Sequence, residues 1–136
     1  MITVMVVEDN DLVRDALVDL LNSTPGVTVV AECCDGTDVL EKARDTRPDV
    51  VVMDIVMPQM DGLEAARVLL TEEPGSRIVV LTGSLTVDHV REAHALGAAG
   101  FLLKDGDPGE LSSAIRQVAE GGSAWSTPAR AYLPPG

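Results

Sequence analysis

The sequence predicts an α/β fold, one domain built on a parallel sheet with helices on both faces. Three observations carry this. Strand-like and helical patterns alternate along the chain, five βα units in succession. The first, third and fourth strand-like runs are continuously apolar, as parallel strands covered on both faces should be. Four of the runs stop at a polar residue: Val4-Met5-Val6-Val7 at Glu8-Asp9, Val50-Val51-Val52-Met53 at Asp54, Ile78-Val79-Val80-Leu81 at Thr82, and Gly100-Phe101-Leu102-Leu103 at Lys104.

Taken in order, strands are expected at about 3–8, 27–32, 49–54, 77–82 and 99–103. The first helix, 11–23, places Leu12, Val13, Ala16, Leu17, Leu20 and Leu21 at helical spacing, with Asn10 or Asp11 as N-cap and Pro25-Gly26 as the stop. The second, 36–46, carries Val39, Leu40 and Ala43 and exits at Pro48; the third, 61–72, carries Leu63, Ala66 and Leu70 and stops at Pro74-Gly75. The fourth, 86–96, has few large apolar residues and ends at Gly97, and the fifth, 108–120, carries Leu111, Ile115 and Val118 and ends at Gly121-Gly122. Right-handed crossovers leave few topologies. The flavodoxin-like (βα)5 three-layer arrangement, strand order 2-1-3-4-5, sets the first and third strands side by side and gathers Glu8, Asp9 and Asp54 at the switch point of the sheet. Residues 1–121 form the domain. Residues 122–136, rich in Pro, Ala and Ser, read as a C-terminal tail or the start of an interdomain linker.

Composition narrows the function. A chain of 136 residues suits a single core. With one Trp, one Tyr and one Phe, that core must be aliphatic. A net charge of -12, from 10 basic against 22 acidic residues, argues against general nucleic-acid binding by this segment. Cys33-Cys34 has neither zinc-ligand nor redox-pair spacing and reads as two reduced structural thiols. His89 and His94, five apart, do not share a helix face well enough for a metal pair and read as surface residues. No apolar run reaches the roughly 20 residues of a membrane span and no secretory pattern opens the chain, so the cytoplasm is expected.

Three acids, one hydroxyl and one ammonium, each just beyond an apolar strand, suit a divalent cation and a phosphoryl group. The chain resembles the response-regulator receiver domain, NarL/FixJ (LuxR) type, over about residues 1–121. The resemblance rests on Val7-Glu8-Asp9-Asn10, on Met53-Asp54-Ile55-Val56-Met57-Pro58 with Asp61-Gly62, on Leu81-Thr82-Gly83, and on Gly100-Phe101-Leu102-Leu103-Lys104-Asp105. It implies that Asp54 is the phosphoacceptor. Glu8, Asp9, Asp54 and the backbone carbonyl of Val56 would hold Mg2+, with Mn2+ as the substitute. Thr82, Gly83 and Lys104 would contact phosphate, and Thr82 and Phe101 would form the conformational switch. Asp105 stands where the family usually has Pro, and Phe101 lacks the hydroxyl of the family's frequent Tyr. The implied partner is a sensor histidine kinase, with homodimers on phosphorylation. DNA would be reached only through a C-terminal helix-turn-helix domain missing from this chain. The implied role is signalling rather than enzymatic.

Other readings are a stand-alone receiver working through protein contacts, a phosphatase and a flavin carrier. A haloacid-dehalogenase-type Mg-dependent phosphatase would need a second Asp where Val56 stands, and Glu8-Asp9-Asn10-Asp11 would repel a flavin phosphate.

Overall fold

A computed structural model describes residues 1–57 and 61–135. The aliphatic runs become strands β1 (Ile2–Val7), β2 (Val27–Cys33), β3 (Val50–Met53), β4 (Ile78–Thr82) and β5 (Gly100–Leu103). The helical patterns become α1 (Asp11–Asn22), α2 (Val39–Thr46, entered through a 3-10 turn at Gly36–Asp38), α3 (Gly62–Glu72), α4 (Val87–Leu96) and α5 (Pro108–Ala119). Polar caps fix the helix starts. Asn10, Asp61, Thr86 and Asp107 each accept a backbone N–H of the first turn, so Asn10 rather than Asp11 opens α1. Gly97, at φ 96°, closes α4 in the left-handed conformation that glycine adopts without steric cost.

All strand pairs are parallel, and β1 to β5 stand in the expected order, β2-β1-β3-β4-β5. Alternate strand residues feed the two faces. On one face Val4, Val6, Val52, Val79 and Leu81 pack with Leu21 of α1 and Leu111, Ile115 and Val118 of α5. On the other, Met5, Val7, Val51 and Met53 pack with Val39 and Ala43 of α2 and Ala66 and Leu69 of α3, while Val80 and Phe101 pack with Leu63 of α3 and Val90 and Ala93 of α4. The result is three layers.

The segment expected as a tail adds to this fold. Ala124–Trp125 forms a sixth strand, β6, parallel to β5, and Thr127–Arg130 forms a short helix, α6. The Ala124 N–H donates to Ala99 at 2.9 Å and the Ser126 N–H to Phe101 at 2.9 Å. Gly100 permits the approach, because a Cβ there would overlap the carbonyl oxygen of Ala124. Trp125 stacks on Phe101, centroids 6.2 Å apart and planes 11° off parallel. A two-residue strand between Gly-rich and Pro-containing stretches has too little periodicity to stand out in sequence. The core is therefore not wholly aliphatic, since Phe101 and Trp125 are both buried in it. The cysteines divide: Cys33 is buried, Cys34 exposed, both free. His94 is exposed, as expected, but His89 is only half-exposed.

Truncating Trp125 tests whether this segment belongs to the fold. Trp125→Ala is expected to cost about 3 kcal/mol in denaturant unfolding, in the range for a large buried aromatic. A solvated tail would give no measurable change.

Candidate functional site

Register builds the site. Val7 pairs with Met53 and Met53 with Val80, so Glu8 and Asp54 emerge one residue beyond the ladder at the carboxyl edge of adjacent strands. The Asp54 N–H still donates to Val7 (2.9 Å) and the Glu8 N–H to Cys33 (3.0 Å), tying both residues to the sheet. Thr82 pairs with Leu103, and the Lys104 N–H donates to the Thr82 carbonyl (2.9 Å), which brings the ammonium to the same edge. Gly62 opens α3 against this edge. A Cβ on it would overlap the Asp54 carbonyl oxygen and the Cα of Ile55, so only glycine lets α3 start so close.

Lys104 Nζ lies 2.5 Å from Glu8 Oε1 and 2.9 Å from Asp54 Oδ2. Asp54 Oδ1 accepts the Val56 N–H at 3.1 Å, and Glu8 Oε2 accepts the Asp9 N–H at 3.1 Å. Glu8 is 1% exposed and Asp54 6%, whereas the Lys104 side chain is 28% exposed. Burial pushes the Glu8 carboxyl up to about 7, aided by the neighbouring Asp54 carboxylate and opposed by Lys104. For Lys104 burial acts against the charge, but its hydrogen bonds to Glu8 and Asp54 prevail and hold its pKa above the ordinary value.

Carboxylate oxygens of Glu8, Asp9 and Asp54 come within 4.8 Å of one another. Hard oxygen donors at this spacing fit a divalent cation such as Mg2+, which keeps several waters and needs few protein ligands. Thr82 is buried at the end of β4, its Oγ1 accepting the Ser84 N–H at 3.2 Å. Gly83 is exposed, and a Cβ there would meet nothing within 4 Å, so the ground beside Thr82 is open. Phe101 lies beneath, fully buried, and Val56 is 58% exposed beside Asp54. The structure thus gathers Glu8, Asp9, Asp54 and Lys104 directly, with Thr82 on the same edge. Pro58, named in the motif, lies outside the described residues.

Two contributors were not singled out in the sequence. Arg14 of α1 donates through Nη1 to the Glu8 carbonyl at 2.9 Å. Its place one turn after the Asn10 cap was the available signal. Trp125 covers Phe101, and nothing in its local pattern marked it.

Residues 4–116 match the family model described as the response regulator receiver domain. The uncharacterised transcriptional regulatory protein YxjL of Bacillus subtilis is 40% identical over 126 residues, 93% of this chain and 58% of that protein. The response regulator GacA of Pseudomonas aeruginosa is 41% identical over 121 residues, 89% of this chain and 56% of that protein. The chain therefore spans a little over half the length of these relatives. A crystal structure of a LuxR-family two-component response regulator from Aurantimonas superposes with a TM-score of 0.91 at 33% identity, covering 96% of this chain and 93% of the other.

The raised Glu8 pKa has a consequence for stability without divalent cations. The folded chain keeps this proton longer than the unfolded chain, so the contribution is complete below pH 4.5 and is lost as pH rises through about 7. Unfolding followed across that window should show wild type losing stability relative to Glu8→Gln as pH rises. A constant difference between the two would mean that Glu8 ionises as an ordinary carboxylate.

Proposed function

The chain belongs to the response-regulator receiver family of two-component signalling, and from that premise we propose that Asp54 is its phosphoacceptor, served by Mg2+ at Glu8, Asp9 and Asp54. The observation that carries this reading is the Lys104 ammonium bridging Glu8 and Asp54, beside three converging carboxylates.

An Asp54 oxygen attacks the phosphorus of a kinase's phosphohistidine. A P–O bond forms as the P–N bond breaks, and the imidazole leaves with the electron pair. The product is an acyl phosphate on Asp54. When bound, Mg2+ supplies charge neutralisation for the phosphoryl oxygens. The Val56 carbonyl would complete its protein ligands. Lys104, already within hydrogen-bond reach of Asp54, turns to the phosphoryl group. Thr82 donates its hydroxyl to a phosphoryl oxygen, and the open ground at Gly83 leaves room for the group.

Phosphorylation then shifts a two-state equilibrium. Movement of Thr82 reaches Phe101 through packing, since Phe has no hydroxyl to offer. The donor is a sensor histidine kinase, the compartment the cytoplasm, and the output transcriptional. The output reading draws on relatives named as transcriptional regulators that extend well beyond this chain's length. DNA contact would fall to a helix-turn-helix domain outside the segment described, with homodimers forming on phosphorylation. Among the described residues no helix is long and apolar enough to cross a membrane.

Intact mass after incubation with Mg2+ and acetyl phosphate, or with a panel of histidine kinases, tests the assignment. Wild type should gain one hydroxylamine-labile phosphoryl group and Asp54→Ala none. Lys104→Ala should fold and react on the order of 100-fold more slowly, the scale for removing one charge-stabilising donor. Phosphoryl transfer to Asp54→Ala, or none to wild type from any donor, contradicts the proposal.

A further inference from the structure

Arg14 lies behind the acidic cluster rather than in it. Its side chain is 15% exposed, low for an arginine on a surface helix. Nη1 donates to the Glu8 carbonyl at 2.9 Å, Nη2 to Asp11 Oδ1 at 2.6 Å, and Nε lies 3.7 Å from Glu32 Oε1. One guanidinium thus joins the end of β1, the start of α1 and the neighbouring strand β2. A guanidinium fork can serve three acceptors at once, which an ammonium on a flexible stem does less well.

The peptide it grips is the one between Glu8 and Asp9. The last sheet bond along this edge is from the Glu8 N–H to Cys33 at 3.0 Å, and α1 begins at the Asn10 cap. The Glu8–Asp9 peptide falls between strand and helix. Its carbonyl accepts from Arg14 and its N–H, that of Asp9, donates to Glu8 Oε2 at 3.1 Å. A peptide is planar, so holding the carbonyl also holds the N–H and places the Cα atoms from which the Glu8 and Asp9 side chains depart. Arg14 is itself anchored, its N–H donating to Asn10 at 2.9 Å in the first turn of α1.

We propose that Arg14 is a positioning residue for the divalent-cation site: by clamping the Glu8–Asp9 peptide it holds the two carboxylates where they meet Asp54. This rests on the reading that Glu8, Asp9 and Asp54 hold Mg2+. The clamp and the charge of Arg14 act in opposite directions. A cation this close to the cluster repels a second cation, so on charge alone its removal would tighten Mg2+ binding. Loss of the clamp loosens two of the three ligands and weakens binding.

Calorimetric titration of Mg2+ into wild type, Arg14→Ala and Arg14→Gln, with thermal unfolding of each, decides between them. Arg14→Ala should weaken Mg2+ affinity about 10-fold, on the scale of losing a group that orients metal ligands. Arg14→Gln, neutral but still carrying an amide donor, should lose less. Should Arg14→Ala not fold, the Gln variant carries the comparison, with an affinity below wild type expected. Affinity equal to or tighter than wild type in a folded variant overturns the clamp, whatever the loss in melting temperature. A wild-type chain that binds no Mg2+ overturns the metal-site reading on which the clamp depends.

Discussion

Two carboxylates at the edge of a sheet, nearly out of contact with water, share one lysine. The pair calls for a cation, and Lys104 supplies it from the end of β5, two strands from β3 and three from β1. Even so the balance is incomplete. One ammonium faces three carboxylates once Asp9 is counted, and the Glu8 carboxyl is pushed up to about 7, chiefly by burial. A site short of positive charge is primed for a divalent cation. Lys104, at 28% side-chain exposure, is the least enclosed of the three groups.

This constraint accounts for much of the fold near the site. The carboxylates must leave neighbouring strands at the same height, which the parallel pairing of Val7 with Met53 ensures. Lys104 must come from the same edge, which the pairing of Thr82 with Leu103 ensures. Helix α3 must start almost on top of Asp54, which Gly62 allows. Below the site the demands are those of ordinary packing, and aliphatic residues on both faces meet them. Phe101 lies between the two regions. It packs with Val90 and Ala93 of α4 and stacks on Trp125, so any change at Thr82 that disturbs this aromatic also reaches the C-terminal segment.

The five-unit α/β pattern was legible because buried parallel strands are written as unbroken aliphatic runs and each helix begins or ends at a recognisable cap or breaker. The central residues of the site were legible because each ends such a run. Lys104 could be assigned to the site, but its bridge between Glu8 and Asp54 joins residues 96 and 50 positions apart, a geometry only the folded sheet provides. Arg14 escaped notice because its target is a backbone carbonyl, which leaves no mark in sequence. The packed role of Trp125 escaped because β6 spans two residues and draws its order from Gly100 and Phe101 rather than from a pattern of its own.

With Mg2+ held as proposed, an acidic chain concentrates its divalent-cation affinity at one sheet edge. Backbone amide chemical shifts recorded by NMR during a Mg2+ titration address it most directly. The largest changes should fall on Glu8, Asp9, Asp54, Val56 and Lys104, follow a single saturable isotherm, and extend to Arg14. Weak changes spread over the acidic helix surfaces, with these residues no more affected than the rest, would contradict it.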